Sequence, residues 1–432
     1  MTHRKPLRPV AHVSHSLLQL YSAEAANAVS AILLVVGLSF YTNHRFGWGA
    51  RENFTIAAFQ GTLYMVGALM AKGLAQRWGR EKSLLWLYSG MTVCAIAVGM
   101  CASTGRAVIT ALIAILETGL VAASWPMLQS LVSAAGKQSK LSERLGCYNI
   151  IWSSIGAIAI AGSGLIIQHA PAWVFFGIIA AGHLLAGALV FRRTRSTTSK
   201  SVAWDAAQLK AHSKASAPLI DETIMRRNRL ALFLSRIALP STYVAVYSLS
   251  PAMPSLHAIR QLTPTMATLV ASIWLVARAT AFVVAGATTF WHKRPALIFL
   301  ASVTMLLAFI LTVVPGALAQ IRLAHALLAT AIGEILFGFS IGVIYAASLY
   351  FGMAVSEGST RHGGYHEALI GLGQILGPLV GATMQWIYPS SLWPAVAGIS
   401  IVVSITLVIE GVVGFRTAGE TKIPAETGIR RG

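Results

Sequence analysis

Charge is scarce in this chain: of 432 residues only 11% are Asp, Glu, Lys or Arg. A soluble globular domain carries about a quarter, so water cannot cover this whole surface. Acid is the scarcer sign, with 14 Asp and Glu against 33 Lys and Arg, and no aspartate falls inside a long apolar run. That excludes an Asp-rich metal motif at membrane depth. There is also no Ser-His-acid set in a sensible loop and no nucleotide-binding glycine loop, so the constellation that a membrane-embedded lipid-modifying enzyme needs is missing. The chain is read as not an enzyme and as using no cofactor. Cysteine is nearly absent: Cys94, Cys101 and Cys147 fit no disulfide or metal spacing, and the first two, in one apolar segment, are expected to be buried as small hydrophobes. No small-residue cleavage site follows the basic start at Arg4, Lys5 and Arg8, and the apolar stretch there holds Glu24 and Asn27. It is an uncleaved first span, not a signal peptide.

What is present is apolar. Hydrophobic residues make up 56% of the chain, the mean hydropathy is +0.68, and runs of about 20 residues recur, each long enough to cross about 30 Å of hydrocarbon as a helix. The pattern predicts an all-α polytopic membrane protein with twelve transmembrane helices over 15–41, 54–75, 83–103, 107–134, 146–167, 172–191, 229–250, 264–289, 295–315, 322–352, 364–387 and 392–413. The net charge of +19 does not point to nucleic acid, because no folded basic domain carries it. It collects in alternate loops: about 26 Lys and Arg fall on the side of the N-terminus and about 5 on the other. The expected topology puts both termini in the cytoplasm, in the plasma (bacterial inner) membrane, with anionic lipid headgroups as partners of the basic loops. The longest basic segment, 192–228, begins Ser/Thr/Lys-rich at Ser196 to Ser201, and Ala203 to His212 can form a short helix on the membrane surface. It separates an N-terminal six-helix bundle (1–191) from a C-terminal one (229–415), with a polar tail over 416–432 expected to be disordered.

The two halves repeat. A shift of 217 positions carries Arg144, Gly146 and Tyr148 onto Arg361, Gly363 and Tyr365, Asn149 onto His366, Gly156 onto Gly373, Gly164 onto Gly381, and Glu117 onto Glu334. With an even number of spans in each, the halves are parallel repeats about an axis along the membrane normal.

The hairpin after the second span reads Gly73-Leu-Ala-Gln76-Arg77-Trp-Gly79-Arg80-Glu-Lys. It resembles the Gly-x-Leu-x-Asp-Arg-x-Gly-Arg-Arg loop found at that place in the major facilitator superfamily. The equivalent turn, Gly286 to Arg294, is degenerate. Length, span number, central loop and repeat agree with the family over essentially the whole chain. The resemblance implies a secondary active transporter that moves a small solute by alternating access as two pseudo-repeat bundles rock about a midplane site. The rival reading of a family-like sensor that does not transport stays open. Gly73 and Gly79 are expected to permit a tight turn and close helix approach, and Arg77 and Arg80 to pair at the inner interface. Gln76 stands where the family has an acid that latches one conformation, so any latch here is a neutral hydrogen bond or lies elsewhere.

Ionisable residues at membrane depth cost about 2.5–3.5 kcal/mol each and therefore face a cavity or a partner. Glu24, Glu117, Arg236 and Glu334 lie in spans 1, 4, 7 and 10, which the resemblance makes the cavity-lining helices. Together they would cost on the order of 10–14 kcal/mol unpaired. Three acids to one arginine leaves a carboxyl without a cation, a candidate proton carrier; Glu117 and Glu334 are the first choices, Glu24 the third. Arg236 either faces the cavity or snorkels to headgroups. Arg278 either answers a glutamate or binds an anionic part of the solute. Glu410 and His183, in peripheral helices, are read as structural.

Span 11 begins Arg361-His-Gly-Gly-Tyr-His366-Glu367 and continues through Gln374, Gly377 and Pro378. Arg144, Arg361, His366 and Glu367 suggest an inner gate, and Gly377 with Pro378 a packed, bendable helix. His362 and His366 share a helix face, but Gly363 and Gly364 weaken the helix and no third ligand follows, so no metal site is read. Asn27, Gln60, Tyr64, Trp125, Gln129, Asn149, Trp152, Tyr243, Tyr247 and Gln374 are candidate solute contacts. The chain is read as a monomer whose partners are a small-molecule solute, protons and lipids. Asn53-Phe-Thr55 matches a glycosylation triplet but lies too close to a span to serve.

Overall fold

The computed structural model describes residues 15–135, 141–197, 222–356 and 360–420. Twelve helices there are long and apolar enough to cross a bilayer: α1 (Ser16–Phe46), α2 (Ala50–Trp78), α3 (Arg80–Ser103), α4 (Ala107–Ala134), α5 (Glu143–His169), α6 (Ala172–Thr194), α7 (Ile224–Ser255), α8 (Pro264–Ala287), α9 (Ala296–Ala317), α10 (Leu323–Gly352), α11 (His366–Ile387) and α12 (Trp393–Val413). Among the described residues there is no strand. Every expected span is present, and several helices overrun it, because the apolar run marks only the hydrocarbon depth while the helix continues to the interface. Thus α1 reaches Phe46 instead of 41, and α7 begins at Ile224 instead of 229. The tail, expected to be disordered from Arg416, is helical as far as Glu420. The surface helix expected over 203–212 lies outside the described residues. One feature had no sequence signal: Leu33–Gly37 forms a π-helical turn within α1.

The packing repeats with an offset of six helices. Contacts of α1 with α5 and α6, α2 with α4, and α3 with α4 and α6 recur as α7 with α11 and α12, α8 with α10, and α9 with α10 and α12. Between the halves, α2 packs on α11 and α5 packs on α8, the same pairing seen from each side of the repeat. Large apolar side chains such as Leu69, Trp86, Ile158, Leu184 and Val408 point outward and are exposed, as a bilayer-covered surface requires.

Without a hydrophobic force between helices in lipid, close approach decides which helices pair. On α11, a Cβ added at Gly373 or Gly377 would overlap the Pro240 or Val244 carbonyl of α7. So α11, despite Pro378 within it, lies tightly against its neighbour. At the α2–α3 hairpin, Gly79 has φ +80° and its N–H caps the Ala75 carbonyl at 3.0 Å, a conformation that L side chains rarely adopt.

Candidate functional site

A chamber lies between the halves, walled by eight helices: α1, α2, α4 and α5 from one half and α7, α8, α10 and α11 from the other. The family resemblance anticipated only α1, α4, α7 and α10. Much of the polar and aromatic wall comes from pairs one helical turn apart, which share a face. They are Trp125 and Gln129 on α4, Tyr148 and Trp152 on α5, Tyr243 and Tyr247 on α7, and Trp274 and Arg278 on α8. Tyr64, Tyr345, Glu24 and Glu367 complete the polar and aromatic lining.

Two acids reach this space. Glu367, 2% exposed, accepts from the Tyr64 hydroxyl at 2.7 Å and from Gln129 Nε2 at 3.1 Å, so one carboxylate of α11 ties together α2 and α4 of the opposite half. Expected as a gate at the inner end, it stands in the chamber wall. Glu24 is buried with Tyr148, Asn27 and Tyr88 as its polar neighbours, and its Oε2 makes no hydrogen bond. Arg278, 3% exposed, donates from Nε to Ser153 Oγ at 3.0 Å and packs on the indoles of Trp152 (4.2 Å) and Trp274 (4.9 Å).

The two acids singled out by the repeat are elsewhere. Glu117, expected to face the cavity, is fully buried behind it, with Oε1 at 3.1 Å from His183 Nε2 of α6. His183, read as merely structural, is thus the partner of that acid. Glu334 is equally buried, and its Oε2 accepts from the Trp274 backbone N–H at 3.3 Å. Neither lines the chamber. Arg278 is not the counter-charge of either: the described ion pairs join Arg51 to Glu52, His183 to Glu117 and Arg193 to Glu81.

Other expected residues also separate from the chamber. Asn27 and Gln374 are fully buried outside its lining, with side-chain amides that make no hydrogen bond. The Gln374 carbonyl instead faces Gly61 of α2. Arg236 is half-buried on α7, close enough to His366 to act on it electrostatically. His366 Nδ1 lies 3.2 Å from Ser348 Oγ, with the ring edge-on to Tyr345. Glu410 is buried beside Ser302 on the far side of its half.

The hairpin corrects part of the motif reading. Gly73 and Gln76 are exposed, and Gly73 approaches nothing, so close packing does not explain that glycine. Arg77 lies over its neighbour Trp78 at 5.6 Å. Arg80 donates to Ser130 Oγ of α4 at 2.8 Å. Glu81 forms an ion pair with Arg193, which also donates to Ser16 at 2.9 Å; it joins α3, α6 and α1 within one half. Arg144 caps the end of α4, donating to the Val132 and Ser133 carbonyls at 3.2 and 2.7 Å. The side chains of Arg361 and His362 lie outside the described residues. Asn53 is buried and bonded to Thr42 and Ser39, which excludes glycosylation there. Cys94 and Cys101 are only half-buried and Cys147 is exposed, all three free.

Sequence reasoning placed Tyr64, Trp152 and Arg278 at the solute but missed Tyr345, Ser153 and the chamber positions of Tyr148 and Glu367. For Tyr148 the available signal was Trp152, an aromatic residue one turn away.

The sequence profile of the Major Facilitator Superfamily matches residues 20–362. No curated protein matches the chain. Two solved structures of the nucleoside transporter NupG share the fold at 14% identity. A point mutant superposes with a TM-score of 0.63 over 92% of this chain and 100% of its own. The second gives 0.60 over 95% and 100%. At that identity the likeness speaks for the fold alone.

Proposed function

This chain belongs to the Major Facilitator Superfamily, and from that premise we propose that it is a proton-coupled carrier whose chamber is the transport site. It is an integral membrane protein and a secondary transporter of a small solute. The observation that carries the coupling is the placement of Glu24 and Glu367, one from each half, in the lining of a chamber shared by both halves. A unit charge moved through 100 mV gains or loses about 2.3 kcal/mol, and a carboxyl that takes a proton crosses without that penalty. Glu367 has a second role in this reading. As a carboxylate it accepts two hydrogen bonds from the other half, and as a neutral acid it accepts them more weakly. Proton transfer at Glu367 therefore alters the grip between the halves. Glu117 and Glu334, the first choices from sequence, become partners of packing in this account, held by His183 and by the Trp274 backbone. The basic loops on the α2–α3 hairpin side are assigned to the cytoplasm of a bacterial inner membrane, and a chamber formed within one chain suits a monomer.

Proteoliposomes test this. Offered nucleosides, organic acids, sugars and amino acids, the protein is expected to concentrate one class only when a pH gradient is imposed. Glu24→Gln and Glu367→Gln should abolish that accumulation while leaving solute exchange across the membrane. Accumulation that ignores the gradient, or survives in both variants, contradicts the proposal.

A further inference from the structure

We infer that the solute is a small organic monoanion with a flat ring, its carboxylate seated on Arg278 and its ring among the aromatic side chains of the chamber. The inference rests on reading the chamber as the transport site. Arg278 is a chamber residue nine-tenths and more buried, and its Nη2 has no hydrogen-bond partner. The indoles of Trp152 and Trp274 pack on its guanidinium and Ser153 takes Nε, so the group is held in place with donor capacity left over. Among the described residues no carboxylate pairs with it. A desolvated guanidinium with an unanswered N–H is costly, and the acceptor that suits its fork is a carboxylate.

The rest of the chamber fits the ring. Tyr243 and Tyr247 stack at 5.7 Å, and Tyr64 tilts against Trp125 at 5.7 Å, faces and edges on which a flat solute stacks. Aromatic walls also attract cations and Glu24 Oε2 has no hydrogen-bond partner. But Arg278 repels a cationic solute, both oxygens of Glu367 are already engaged by Tyr64 and Gln129, and Glu24 is the acid left to take the coupling proton. A neutral ring compound leaves the Arg278 charge uncompensated. A monoanion that travels with one proton crosses as a neutral pair, which accords with the chamber's two acids.

Calorimetry on the full chain in lipid nanodiscs, with phenylacetate, phenylacetamide, phenethylamine and adenosine as probes, tests this. Phenylacetate should bind, and the amide roughly thirtyfold or more weaker. Arg278→Gln should lose that factor for phenylacetate and leave the amide unchanged, while Arg278→Lys, which keeps the charge and guards against a folding artefact, should lie between. Equal binding of acid and amide, preference for the amine or adenosine, no binding of any probe, or unchanged phenylacetate affinity in Arg278→Gln overturns the inference. Counterflow in proteoliposomes separates the two readings. Arg278-dependent binding without counterflow supports the anion site and contradicts its use for transport. Gradient-driven uptake of adenosine or the amine, with phenylacetate unbound, keeps the carrier and overturns the anion.

Discussion

Glu117 and Glu334 occupy equivalent places in the two halves, whereas Glu24 and Glu367 have no counterparts: 217 positions away stand Ser241 and Ile150. Arg278 likewise answers to Gly61. The symmetric acids are enclosed within their own halves, one against a histidine, the other against a backbone N–H. The asymmetric groups line the chamber. The repeat builds the frame, and chemistry at the chamber enters where the repeat is broken. Even the symmetric pair diverges in its partners, since the position equivalent to His183 is Ser400.

The largest effect that bears on this contrast is expected at His183. His183→Ala leaves Glu117 buried without its partner and should destabilise the protein by about 3–5 kcal/mol, read as thermal unfolding in detergent, with coupling per folded molecule retained. Substituting leucine at both positions should recover most of the loss. Full stability with lost coupling would break the contrast. Next is Tyr64→Phe, which removes a donor to Glu367 and should cost about 1.5–3 kcal/mol; unlike His183→Ala, it should also change the transport rate. A smaller loss, about 0.5–1.5 kcal/mol, is expected for Ser130→Ala, which removes an acceptor of Arg80 at a hairpin distant from either kind of acid. The smallest concerns His292, in the turn between α8 and α9, stacked on Tyr350 at 3.9 Å. Burial holds its pKa below the ordinary value near 6.5. The folded state therefore resists protonation of this ring. Its stability is intact above about pH 6.5 and falls as acid is added toward the lowered folded pKa. His292→Gln should flatten that acid-side decline in thermal unfolding.

Span number, halves and repeat were legible because they rest on hydropathy and spacing, signals carried by many residues at once. The site was legible by type and less so by place. A buried charge announces itself in sequence, as Glu24, Glu117, Arg278 and Glu334 did, but its direction around the helix is set by the packing of neighbours. Glu117 turns toward α6 because His183 waits there, and nothing local to residue 117 says so. Glu367 was read as a gate because it adjoins His366, which the repeat sets on Asn149. Its true environment depends on Tyr64 and Gln129, more than 200 residues away. The pairs at i and i+4, each with at least one aromatic ring, recorded part of the chamber wall in plain sequence, yet each ring taken singly resembles packing.

The central claim, that the chamber carboxyls and not the symmetric ones exchange the proton, is tested most directly by infrared difference spectra of the full chain in nanodiscs, recorded between alkaline and acid pH. The account predicts a protonated-carboxyl band that shrinks in Glu24→Gln and in Glu367→Gln and keeps its size in Glu117→Gln and Glu334→Gln. A band that persists in the first two variants and disappears in the last two would contradict it.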